Sequence, residues 1–330
     1  MKFCIYQCKH YGDALLTTPL ISSLVKTFPE AELIVVCSSY TVPIFSGLKG
    51  VSAVIKKPSS LSEWWRMLHL IVQSQVIFMP HSSGIPLVIG KLLGIPTVAD
   101  AGYRIKVFGG AQIPVPTSLI PWRHAAEKNL DLLRKYAGPQ ALVDKHILCS
   151  ELVKKGVNPL GKIDRPYVVC HPGTRWMYKT PPFDFWCALL EGLVRLNYLV
   201  VLTGVDEGAE GALLVKLGSR LRESVSLAGR TDINSLARVI SDATGYVGVD
   251  TFASHLAAGV GTPGVAIYGP TSELRWGPFG LSNNLDVYVQ DGFACRPCHV
   301  DGCGGGKVSD CLLNIEHDQV LASLLRRMGN

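Results

Sequence analysis

An acid follows a glycine just beyond the first apolar run, in Tyr11-Gly12-Asp13. The glycine permits a tight turn, and a carboxylate placed there can cap the next helix or take a proton from a substrate hydroxyl. The adjacent helix end is expected to keep Asp13 ionised. A second group, His171-Pro172-Gly173-Thr174-Arg175 with Lys179 behind it, leaves another apolar run. Backbone N–H groups, a threonine hydroxyl and a lysine ammonium together suit phosphate, although an ordinary surface loop has the same composition. The third group is Val249-Asp250-Thr251-Phe252-Ala253-Ser254-His255, between an apolar run and a helical stretch. A helix start binds pyrophosphate through its unsatisfied N–H groups, and Thr251 and Ser254 can add hydroxyl donors. Asp250 is a poor neighbour for phosphate, so a functional Asp250 should meet hydroxyls or orient a cation. The plainer alternative is a helix cap, with His255 buried behind it. Two further turns, Thr203-Gly204-Val205-Asp206-Glu207 and Tyr268-Gly269-Pro270-Thr271, also close apolar runs. An acid in the former suits ribose or sugar hydroxyls, or simply opens a helix.

These groups need strands to end on and helices to begin. In the first half, strand patterns at 3–7, 33–38, 51–55, 76–80 and 97–100 alternate with helical spacing at 13–27, 62–73 and 121–137. Pro121 suits the start of the last helix and Gly138-Pro139 its stop. Turn formers crowd residues 156–166, where the second half begins. Strands are then expected at 167–171, 198–204, 226–229, 246–249 and 264–269, and helices at 183–196, 207–221, 232–242 and 251–259, with an amphipathic terminal helix. The expectation is an α/β protein of two doubly wound, Rossmann-like domains, 1–155 and 156–330, facing a cleft. Ligands belong at the C-terminal strand ends.

Composition narrows the classes. The 330 residues are 48% hydrophobic and 18% charged, enough for two cores and too apolar for disorder. A net charge of +6 marks a solvated surface or an attraction to anionic substrates or membranes, not a nucleic-acid binder. No apolar run reaches the ~18 residues of a membrane span. The opening MKFCIYQCKHYGDALL lacks the long apolar segment and cleavage site of a signal peptide, so a cytoplasmic location is expected. No G-x-G-x-x-G follows a strand, there is no Walker A motif, and no Asp-x-Asp is present to clamp a metal–nucleotide.

In combination, three stretches resemble glycosyltransferase family 9, the lipopolysaccharide heptosyltransferase family. They are GDALLTTPLISSLVKTFPEAELIVVC, VVCHPGTRWMYKTPPFDFWCALLEGL and LAGRTDINSLARVISDATGYVGVDTFASHLAAGVGTPGVAIYGPT. The resemblance implies a GT-B fold, an ADP-heptose donor held by the C-terminal half, inversion at the anomeric carbon, and no cofactor or metal in catalysis. It implies a glycan or glycolipid acceptor held by the N-terminal half, and peripheral contact with the inner face of the cytoplasmic membrane. By position it makes Asp13 the base and Lys179 the diphosphate contact. Gly173, Thr174, Asp206, Asp250, Thr251 and His255 line the donor site, with Glu207 an alternative to Asp206. One departure stands out: Phe252 occupies a place where the family usually has glycine. A nucleotide-sugar epimerase of the same fold and a non-catalytic sugar-nucleotide binder are the alternatives.

Two features fall outside these motifs. Cys295, Cys298, Cys303 and Cys311 lie in a Gly-rich loop, where four thiols can form a structural zinc or iron site, pair as two disulfides, which a cytosolic setting disfavours, or remain free. Related enzymes often carry such a loop. The other six cysteines lie in apolar runs and read as buried thiols. Lys56, Lys57, Arg66, Arg104, Lys106 and Arg123 are candidate contacts to an acidic acceptor, or solvated charges. The pair Trp64-Trp65 reads as core or as a membrane-interface anchor.

Overall fold

The computed structural model describes residues 1–81, 83–100, 113–115, 122–280 and 284–329. The chain divides into two compact units, Met1–Glu151 and Leu152–Asn330. Each is built on a parallel sheet of the short apolar runs seen in the sequence.

The first unit carries β1 (Lys2–Gln7), β2 (Glu32–Cys37), β3 (Val51–Lys56), β4 (Val76–Met79), β5 (Thr97–Asp100) and β6 (Ile113–Val115). They lie in the order β3-β2-β1-β4-β5-β6 and pair in parallel. The second unit repeats the plan with β7 (Tyr167–His171), β8 (Leu199–Leu202), β9 (Ser224–Ser226), β10 (Gly245–Val249), β11 (Gly264–Tyr268) and β12 (Leu285–Val289). Their order is β12-β11-β10-β7-β8-β9, again parallel. β1, β4, β7, β10 and β11 are almost wholly buried, as parallel strands covered on both faces require. In each sheet the winding reverses once, between β1 and β4 and between β7 and β10. A doubly wound sheet opens a ligand crevice at such a reversal, beyond the C-terminal strand ends.

The second unit's core packs Trp186, Leu189, Leu190 and Leu193 of the helix Phe183–Arg195 against Val168, Val200, Val247 and Val265 of four strands. The terminal helix His317–Met328 joins this core through Val320 and Leu324, as its amphipathic pattern indicates. Asp286 fastens it from β12 through Ser323 and Arg327. In the first unit Met67 and Ile71 of the helix Leu61–Ile71 and Leu87 of the helix Gly84–Leu93 cover Tyr6, Ile77 and Met79.

The boundaries differ from expectation in several places. The 13–27 stretch is two helices, Tyr11–Leu15 and Thr18–Thr27, broken where Pro19 enters the second. The helix expected over 121–137 begins at Ala125, its first turn capped by the His124 side chain, which accepts from Ala126 N–H. Pro121 lies outside the described residues. The strand expected at 226–229 lies earlier, at Ser224–Ser226, and Gly229 turns with φ +65°. The helix Gly84–Leu93 and strand β12 had no sequence expectation. The former is apolar on nearly all sides, so it shows no stripe; the latter alternates polar and apolar residues at the sheet edge. Five of the six scattered cysteines are buried, and Cys8 is partly so. Trp64 packs on the first unit's core, while Trp65 is 75% exposed. No helix among the described residues is long and apolar enough to cross a membrane.

Candidate active site

At the second unit's reversal, Gly248 of β10 lies opposite His171 of β7, so the segments that follow leave the sheet side by side. The β7 segment runs through Gly173 and Thr174 to the short 3-10 turn Met177–Lys179. The β10 segment places Asp250 next to Thr251, the N-cap of the helix Phe252–Val260. Lys179 Nζ donates to Asp250 Oδ2 at 2.7 Å, and Thr271 Oγ1, beyond β11, donates to the same oxygen at 2.7 Å. The lysine and aspartate side chains are only 12% and 7% exposed. The ammonium also lies 5.3 Å from the centroid of the Trp176 ring, a cation–π distance. A flexible lysine is thus held at one point before any ligand arrives. Its remaining N–H bonds are directed by a carboxylate that, as the sequence required of a functional Asp250, orients a cation.

Thr251, not Asp250, is the N-cap residue, and no side chain caps the helix. Its first turn is therefore a place where backbone N–H groups and the helix dipole favour an anion. Ser254 is not a donor to it. Its hydroxyl is fully buried and bonds Val249 O at 2.7 Å and the Tyr246 hydroxyl at 3.1 Å, so it serves the core. His255 is buried within the helix. Phe252, in the place of the glycine, sets its ring edge-on to His171 with centroids 6.0 Å apart. Thr174 is buried, and its hydroxyl accepts the Trp176 N–H at 3.3 Å.

His171 Nδ1 lies 3.0 Å from Thr203 Oγ1 at the end of β8. Complete burial lowers its pKa to about 4, so it is neutral near pH 7. Asp206 is exposed, its carboxyl close over Gly229. Glu207 is exposed too, and is the N-cap of the helix Gly208–Arg220. The buried acid of this turn is Glu210, which sequence reasoning missed. Its Oε1 accepts the Val205 N–H at 3.1 Å and stands 3.9 Å from His171 Nε2. A glutamate three residues past an N-cap carried the signal, because that position reaches back to orphan N–H groups.

The Cys-rich loop braces these turns. Arg296 Nε donates to Gly269 O at 2.5 Å and His299 N–H to Pro270 O at 2.9 Å, while Ser309 Oγ donates to Tyr178 O at 2.6 Å, next to Lys179. The four cysteines stand as free thiols, one of the alternatives the sequence left open. Among the described residues no three His, Cys, Asp or Glu side chains converge on a metal position. Cys295 and Cys303 are exposed while Cys311 is buried, because its helix packs into the core beside Leu312.

In the first unit Asp13 is the third residue of the helix Tyr11–Leu15, beyond β1. Its carbonyl accepts from Thr17 Oγ1 at 2.8 Å and Gln7 Nε2 at 3.3 Å, and Asn129 Nδ2 donates to Leu16 O at 2.8 Å. These neutral groups fix the turn, and backbone N–H groups of His10 and Asp13 bond the carboxyl. Burial raises the Asp13 pKa, against the opposing pull of Lys9 and His10. The helix end does not dominate, as the sequence suggested it would. Of the candidate acceptor cations, Arg123 is committed to Asp131 at 2.5 Å and to Glu127 at 3.6 Å. Lys56, Lys57 and Arg66 are exposed. Arg104 and Lys106 lie outside the described residues.

A family model described as glycosyltransferase family 9 (heptosyltransferase) matches residues 115–308, more than half of the chain. The chain belongs to glycosyltransferase family 9. Lipopolysaccharide heptosyltransferase 3 of Escherichia coli is 27% identical over 297 residues, covering 84% of this chain and 85% of the relative. The E. coli ADP-heptose lps heptosyltransferase II structure superposes with a TM-score of 0.78 at 20% identity, over 99% of this chain and 98% of the other. E. coli heptosyltransferase WaaC with ADP superposes with a TM-score of 0.69 at 20% identity, over 87% and 92%. This glycosyltransferase therefore has the GT-B-like fold of two parallel α/β sheets.

Proposed function

We propose that this family 9 glycosyltransferase moves heptose from ADP-heptose to a hydroxyl of a lipopolysaccharide-core glycan, inverting the anomeric carbon and using no metal. The observation that carries the reading is the Lys179–Asp250 pair beside the capless helix start at Thr251. It supplies fixed positive charge where a leaving diphosphate gathers negative charge. The named relatives and the ADP-bound neighbour support the donor.

In this reading the second unit holds the donor, with Gly173, Thr174, Asp206, Thr251 and His255 lining its site. The first unit holds the acceptor. Asp13 takes the proton of the acceptor hydroxyl as its oxygen bonds the anomeric carbon. The carbon–oxygen bond to the diphosphate breaks, and ADP leaves with the electron pair. A carboxyl whose pKa is raised by burial is a stronger base than a solvated one. The enzyme works in the cytoplasm, at the membrane face that presents the glycolipid. With ADP-heptose and a heptose-terminated core acceptor, ADP release should require both substrates and persist in EDTA. Release without acceptor, or its loss in EDTA, would overturn the scheme.

A further inference from the structure

The donor turns after β7 and β8 meet over one buried side chain that no motif accounts for. Glu210 is 8% exposed, although it lies in the first turn of the helix Gly208–Arg220. It points back into the sheet end. A Cβ on Gly173 would stand 2.5 Å from Glu210 Cγ, and one on Gly204 would stand 2.5 Å from Glu210 Oε1. Gly204 also has φ +151°, a conformation that L side chains rarely adopt. Both turns thus close onto the glutamate because they have no side chain there. The same Oε1 accepts the Val205 N–H, and His171 Nε2 lies 3.9 Å away.

The Val205 N–H is the hydrogen bond that holds the carboxyl at these turns, because His171 Nε2, at 3.9 Å, stands beyond hydrogen-bond reach. The imidazole is engaged elsewhere, with Nδ1 3.0 Å from Thr203 Oγ1.

We propose that Glu210 is a positioning residue of the donor site: its carboxyl oxygen holds the Gly204–Val205 turn through the Val205 N–H, and its side chain packs against the Gly173 turn. The inference rests on the donor-site reading above and adds a residue to it. It predicts that an amide replaces the acid, because Gln offers an oxygen to the same Val205 N–H.

ADP titrated calorimetrically into the full chain tests this with Glu210→Gln and Glu210→Ala. Alanine leaves the buried Val205 N–H unpaired and should weaken ADP binding about tenfold, while glutamine should stay within about threefold of wild type. Equal losses in the two variants would overturn the role. If ADP fails to bind wild type at all, the donor reading falls, and thermal melts of the ligand-free chain judge Glu210 alone. Glu210→Ala should then melt below Glu210→Gln, because it leaves the Val205 N–H unpaired. Equal melts of the two variants would reject the pinning.

Discussion

The two sheet reversals carry opposite electrostatic designs. Beyond β7 and β10, charge is paired and located in advance: Lys179 on Asp250, Thr271 on the same oxygen, and the Trp176 ring beside the ammonium. Beyond β1, the backbone of the Asp13 turn is fixed by Gln7, Thr17 and Asn129, all neutral. The carboxyl is partly buried, and its pKa rises. The first arrangement removes the cost of placing a cation at the moment of reaction. In the second, burial outweighs the pull of Lys9, His10 and the backbone N–H groups of His10 and Asp13, and leaves the carboxyl more basic than a solvated one.

The largest expected effect removes the Asp13 carboxylate, the base of the proposed scheme. Asp13→Asn should lower kcat by about 10²–10⁴-fold, the usual share of a general base, while calorimetry shows unchanged ADP binding. The variant should also melt no lower than wild type. A carboxyl whose pKa is raised on folding destabilises the neutral-pH fold, and its stabilising effect is present only at low pH. Near-normal turnover by a folded Asp13→Asn protein would remove the base assignment. Next comes the paired member. Lys179→Met should cost about 10²–10³-fold in kcat/KM for donor, the scale of one preorganised stabiliser of developing charge. Asp250→Asn keeps the lysine but loosens it, so its loss should be smaller and weighted towards kcat. If Asp250→Asn proved the more damaging of the two, the carboxylate would have a role beyond orienting Lys179. Smaller again is the pH response. Turnover should fall as acid protonates Asp13, with its acid limb above the ordinary aspartate range. An acid limb unchanged in Asp13→Asn would belong to another group.

The alternation of apolar runs with helical stretches made the two sheets legible, because parallel strands buried on both faces show as continuous Val and Ile runs such as ELIVVC and YVVCH. The turns that carry Lys179, Asp250 and Thr251 were legible for the same reason: each follows such a run. What sequence could not show was which polar group meets which. The Lys179–Asp250 bond joins residues 71 apart, and Thr271 reaches the same oxygen across 21. Ser254 lay in a promising motif yet points at Val249 O, since a buried hydroxyl at a helix start takes the nearest carbonyl. Glu210 was hidden among the acids of one helix start, where burial rather than residue type separates it from Asp206 and Glu207. Asp13 was singled out in the sequence, but its pKa was read from the helix end alone. Desolvation is set by the surrounding fold and outweighed it.

The smallest effect concerns Phe252, which stands where a glycine was expected. Its ring meets His171 edge-on at 6.0 Å and is partly buried, in the first turn of the helix whose N-cap is Thr251. Restoring the glycine removes that contact and adds backbone freedom, so Phe252→Gly should lower the unfolding free energy by about 1–2 kcal/mol. Denaturant titration reads this directly. The paired charges beside it do not depend on the ring, so kcat with a saturating donor should remain within about threefold, the span of a ~0.6 kcal/mol change. A loss beyond tenfold, with the fold intact, would mean that the ring touches the donor. The C-terminal reversal would then be shaped for its sugar as well as charged for its diphosphate.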